Sequence, residues 1–76
     1  MARIYLQVRQ LNASTQQALR ELHEELPDEL VVYSRQEGGA QRIWVAYPRP
    51  YGEEKARAAI KRTLANMGVT DITLAD

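Results

Sequence analysis

The sequence predicts an α+β sandwich of order βαββαβ, with a four-stranded antiparallel sheet and both helices on one side of it. Three observations predict this. Leu19, Leu22 and Leu26, and again Ala56, Ile60 and Leu64, recur at helical spacing. Each of these stretches lies between two stretches of β pattern. Gly38-Gly39 joins the second and third β stretches, and Gly-Gly supplies the positive φ angles of a two-residue hairpin turn. Two right-handed β-α-β crossovers joined by a hairpin give the strand order 4-1-3-2.

The first strand is Arg3-Ile4-Tyr5-Leu6-Gln7-Val8-Arg9, which alternates strictly. Ile4, Leu6 and Val8 face the core, while Arg3, Tyr5, Gln7 and Arg9 face away. The alternation breaks at Asn12-Ala13-Ser14-Thr15-Gln16-Gln17. Ser14 with Gln17 three residues later has the spacing of a capping box, with Ala13 and Ala18 as a weak staple. An amphipathic helix over residues 14–26 follows, and Pro27 ends it by disfavouring the helical conformation of the residue before it.

Residues 30–36 are rich in β-branched and aromatic side chains and form the second strand. A two-residue turn at Gly38-Gly39 sets Glu37 against Ala40 and Arg35 against Arg42. Ser34 then meets Ile43, Tyr33 meets Trp44, Val32 meets Val45, and Leu30 meets Tyr47. This register places Leu30, Val32, Ile43, Val45 and Tyr47 on one face and Val31, Tyr33, Arg35, Arg42, Trp44 and Ala46 on the other. Pro48-Arg49-Pro50-Tyr51 is a stiff connector. Gly52 caps the second helix, with Glu53 and Glu54 where the helix dipole favours negative charge. Gly68 supplies a left-handed stop, and residues 69–74 form the last strand with Ile72 and Leu74 inward. This is a single ferredoxin-like domain over residues 1–76.

Composition narrows the function classes. The 76 residues carry 10 basic and 10 acidic side chains, no Cys and no Phe. There is no disulfide and no thiolate metal site. At 45% hydrophobic the chain is not disordered by composition. No apolar run reaches the roughly 18 residues of a membrane span. Met1-Ala2-Arg3-Ile4 leads straight into the alternating pattern, so no signal peptide is expected. These traits are compatible with the cytoplasm.

Few residues are arranged for chemistry. His23 is the single histidine; beside Glu24 and Glu25 it reads as a boundary residue near solvent, without the nucleophile and orienting partner that a general base needs. Glu21, Glu24, Glu25, Asp28 and Glu29 give residues 12–30 a net charge of −4 and read as a solvated helix face without EF-hand spacing. Gly38-Gly39 has no helix behind it, so it is not a phosphate cradle. Glu53 and Glu54 would repel an anion from the second helix N-terminus. No catalytic residue, metal ligand or cofactor site is expected.

The uncovered sheet face is the informative feature. It gathers Tyr5, Tyr33 and Trp44, with Arg3, Arg9, Arg35 and Arg42 around them. Zero net charge is thus a cancellation, because residues 1–11 and 31–51 each carry +2. Aromatic faces flanked by arginine suit stacked bases and phosphates. Arg3-Ile4-Tyr5-Leu6 resembles the start of the strand-1 signature of the RNA-recognition motif, and Arg42-Ile43-Trp44-Val45-Ala46 resembles its strand-3 signature in parity. That family has Gly in place of Ile43 and an aromatic in place of Ala46, and a long loop between strands 2 and 3 that this chain lacks. The resemblance covers about a dozen residues and implies a single-stranded nucleic-acid partner. A protein partner, or a second copy burying Val31, Tyr33 and Trp44, is the other binding expectation. Against both stands a structural role: aromatic and arginine side chains are what an uncovered sheet face uses for its own stability.

Local signals agree with the global fold at every level. In Ser14-Thr15-Gln16-Gln17, Gly38-Gly39, Gly52-Glu53-Glu54 and Met67-Gly68 the sequence resembles a computationally designed or redesigned βαββαβ scaffold. That resemblance implies a stable, non-catalytic monomer that needs no partner. Pro48-Arg49-Pro50 and the bias of eight Arg to two Lys depart from an idealised design.

Overall fold

The computed structural model describes residues 1–75. Asp76 lies outside the described residues. The elements run β1 (Ala2–Val8), α1 (Ala13–Glu25), β2 (Val31–Glu37), β3 (Ala40–Tyr47), a short 3-10 turn (Arg49–Tyr51), α2 (Glu53–Met67) and β4 (Ile72–Leu74). The sheet order is β2-β3-β1-β4, with every neighbouring pair antiparallel. This is the ferredoxin-like arrangement, and it matches the predicted order.

The hairpin register agrees with the sequence pair by pair from Val32↔Val45 to Glu37↔Ala40. Gly38 and Gly39 have φ of 55° and 99°, the left-handed values that the turn demands. Leu30 stays outside the ladder. Its N–H donates to Pro27 O at 2.9 Å, so it closes a turn and still buries its side chain in the core.

Several element boundaries differ from expectation, and those at the starts of α1 and β4 have a clear local cause. The cap of α1 is Asn12, not Ser14. Thr15 N donates to Asn12 Oδ1 at 3.0 Å, and Asn12 N donates back to Thr15 Oγ1 at 2.9 Å. This is a capping box two residues upstream of the predicted one. The Thr15 hydroxyl also donates to Gln10 O at 2.8 Å, which satisfies a buried polar side chain that Ser14 and Gln17 would not supply. Ala13 is then the first helical residue, and the Ala13–Ala18 staple is not made.

β4 begins at Ile72 rather than Val69. Gly68 takes φ 72°, its N–H donates to Ala65 O at 3.1 Å, and Val69 N donates to Leu64 O at 3.0 Å. Those are the two bonds of a Schellman stop. They occupy the Val69 N–H, so the chain reaches the ladder only after Asp71.

The core lies between the sheet and the two helices. Ile4, Leu6, Ile43, Val45, Tyr47 and Ile72 from the sheet meet Leu22, Leu26, Ala56, Ile60 and Leu64 from the helices. Leu22, Ala56, Ile60 and Val45 are fully buried. At about 25 cal/mol per Å² of apolar surface removed from water, each large aliphatic here stabilises the fold by about 1.5–3 kcal/mol.

Candidate functional site on the open sheet face

The opposite face of the sheet carries no helix. β1 pairs with β3 through Tyr5↔Trp44, and β2 pairs with β3 through Tyr33↔Trp44. Tyr5, Trp44 and Tyr33 therefore form one row across three strands, with Trp44 in the middle. Directly opposed side chains on one face lie within contact distance. The Tyr33 and Trp44 rings stack at 5.8 Å with an interplanar angle of 21°. The Tyr5 and Trp44 rings meet tilted, at 6.0 Å and 52°.

Arginines complete the cluster. Arg3 Cζ sits 4.6 Å from the Trp44 ring centroid, and Arg3 Nη1 donates to Tyr5 Oη at 3.4 Å. Arg42 Cζ sits 5.7 Å from the Tyr5 ring, and Arg42 Nε lies 3.7 Å from Glu37 Oε2. A guanidinium over an aromatic face is attracted by the ring quadrupole. The result is that Trp44 is only 8% exposed, although no second layer covers it. Ala46 is buried beside it. The sequence places Trp44 on an uncovered face; in the structure its ring is covered by its own neighbours, while Tyr5 and Tyr33 stay partly exposed.

Not all of the predicted face residues join this cluster. Arg3, Tyr5, Tyr33, Arg42 and Trp44 do. Arg35 pairs in register with Arg42 and is exposed, without an aromatic contact. Arg9 lies past the end of β1, where its N–H donates to Asp71 O at 2.9 Å. It borders a hollow with Gln7, Gln41 and Thr73, away from the aromatic row. Glu37 shares the parity of Tyr33 and Arg35 and tempers the positive charge through its contact with Arg42.

His23 has a contact that its sequence position does not reveal. Its Nδ1 accepts from the backbone N–H of Val32 at 3.3 Å, across from α1 to β2. The imidazole thus caps an edge-strand donor. Among the described residues, no group of three or more His, Asp or Glu converges as a metal ion would require. No helix among them is long and apolar enough to cross a membrane. Comparison with protein families, with curated proteins and with solved structures finds no match.

The chemistry open to this face is stacking, cation–π contact and hydrogen bonding from guanidinium groups. Trp44, only 8% exposed, offers a base little ring surface. The exposed aromatic surface is that of Tyr5, 36% exposed, and Tyr33, 46% exposed.

Proposed function

We propose that the chain is a non-catalytic, self-supporting α/β scaffold, of computationally designed or redesigned origin, that needs no ligand to hold its fold. One observation carries the reading. The single tryptophan, on the face where a partner would bind, is sealed by Arg3, Tyr5 and Tyr33 of the same chain. Ring surface packed against the chain's own side chains is not open to a ligand, and such aromatic packing stabilises the sheet. The agreement of the Gly-Gly turn and the Schellman stop with the fold supports the designed origin, although the expected Ser14–Gln17 capping box is replaced by Asn12–Thr15. The test is urea unfolding without additives, followed by far-ultraviolet circular dichroism and by Trp44 emission. Coincident, cooperative transitions are expected. A broad transition that sharpens only when a partner is added contradicts the proposal.

A second reading is favoured by a specific observation. Tyr5 and Tyr33 stay partly exposed on a face carrying Arg3, Arg35 and Arg42, the side chains that suit a single-stranded nucleic acid. On this reading mixed oligonucleotides at low salt quench Trp44 emission, and Arg35→Ala with Arg42→Ala, which leaves the aromatic row in place, weakens the effect. Unchanged emission at large oligonucleotide excess removes it.

A further inference from the structure

The sheet has an edge that the cluster does not protect. β2 pairs with β3 on one side only. In an antiparallel ladder, residues that bond across alternate with residues whose N–H and C=O point away. Val32 N–H points away, because it donates to His23. By the same alternation, the N–H and C=O groups of Ser34 and Gln36 also point outward. An edge of this kind is a template for another strand. Ser34, Arg35, Gln36 and Glu37 are exposed along this edge, and a groove of about 570 Å³ between α1 and the β2–β3 hairpin, bordered by Leu11, Leu19, His23 and Val32, runs beside it.

We propose that the outer edge of β2 is a strand-pairing surface for a second copy of this chain, and that His23 competes with the second copy for it. The occupant follows from the register. Antiparallel self-pairing centred on Ser34 overlaps all seven residues of β2 and aligns Ser34 with Ser34 and Val32 with Gln36 of the second copy. Tyr33 then faces Arg35 of the second copy, a cation–π pairing, and Val31 faces Glu37 of the second copy. No like charges are opposed. Centring on Arg35 instead shortens the overlap to residues 33–37 and adds a further guanidinium beside Arg35 and Arg42, which already face each other in the hairpin. Centring on Gln36 overlaps only three residues of the strand. The favoured register needs the Val32 N–H, and His23 holds that group. His23 accepts through an unprotonated Nδ1, so replacing it frees the donor. A single strand pair is smaller than the roughly 1,200–2,000 Å² of a stable interface, so association is weak and depends on concentration.

Sedimentation of the full chain over a range of concentrations tests this. The parent should show a weak monomer–dimer equilibrium. His23→Ala should tighten it by about tenfold or more, since each copy releases an edge donor. Ser34→Pro removes an outward N–H that β3 does not use, so the domain should stay folded and become monomeric in both backgrounds. The Ser34 and Gln36 amides should also exchange more slowly as the concentration of the His23→Ala chain rises. Equal association of parent and His23→Ala overturns the proposal. So does a folded Ser34→Pro chain that dimerises as before. Ser34 and Gln36 amides that exchange at an unchanged rate while dimers form move the contact elsewhere and overturn it too.

Discussion

The two faces of one sheet bury their aromatic and aliphatic residues by different means. The inner face uses a second layer: Ile4, Leu6, Ile43, Val45 and Tyr47 disappear beneath α1 and α2. The outer face has no second layer, yet Trp44 and Ala46 are buried there as well. It relies on lateral contact, with two tyrosines beside the indole and the Arg3 guanidinium over it. Inner residues lose their water to close-packed aliphatic neighbours, which cannot collapse to fill a gap. Outer residues lose theirs to long, amphipathic side chains that keep their polar ends wet and can rearrange. The comparison teaches that burial alone does not mark a core. What matters is whether the covering groups are free to follow a change.

That difference sets the order of expected effects. Ile60→Ala removes a fully buried side chain between rigid neighbours and should cost about 2–5 kcal/mol in urea unfolding. Trp44→Ala removes a larger side chain, but Tyr5, Tyr33 and Arg3 can close over the gap. Its cost should be about 2–3 kcal/mol, below that expected for a tryptophan enclosed on all sides. A loss above that of Ile60→Ala would erase the distinction between the faces. Arg3→Ala leaves the aromatic row and removes its lid. It should cost about 0.5–1 kcal/mol and make Trp44 emission more accessible to quenchers. Glu37→Gln breaks only the exposed contact with Arg42 and should change stability by less than about 0.5 kcal/mol.

The sequence discloses these faces unevenly. Strand parity and the Gly-Gly turn are local rules, and they return both the sheet order and the hairpin register from Val32 to Glu37. The start of α1 was less legible because Asn12, Ser14 and Thr15 all have capping side chains. The choice fell to Asn12, where Thr15 also reaches the Gln10 carbonyl. The start of β4 depends on how Gly68 closes the helix, since a Schellman stop takes the Val69 N–H that a strand would need. Parity placed Tyr5, Tyr33 and Trp44 on one face but said nothing of how the Arg3 side chain folds over the indole. It grouped Arg9 with them, although Arg9 lies beyond the end of β1 at Asp71. The contact between His23 and Val32 joins two elements across a turn, and no spacing rule announces it.

The central claim is that Trp44, on the outer face, is covered by side chains of its own chain without a partner. Trp44 is the only tryptophan, so its emission reports on that face alone. Acrylamide and iodide quenching of the purified, ligand-free chain is the direct measurement. A Trp44 ring covered by its own neighbours predicts blue-shifted emission, weak quenching, and a clear rise in quenching for Arg3→Ala. Emission at the wavelength of free indole, quenched as readily as in the urea-unfolded chain, would contradict the account.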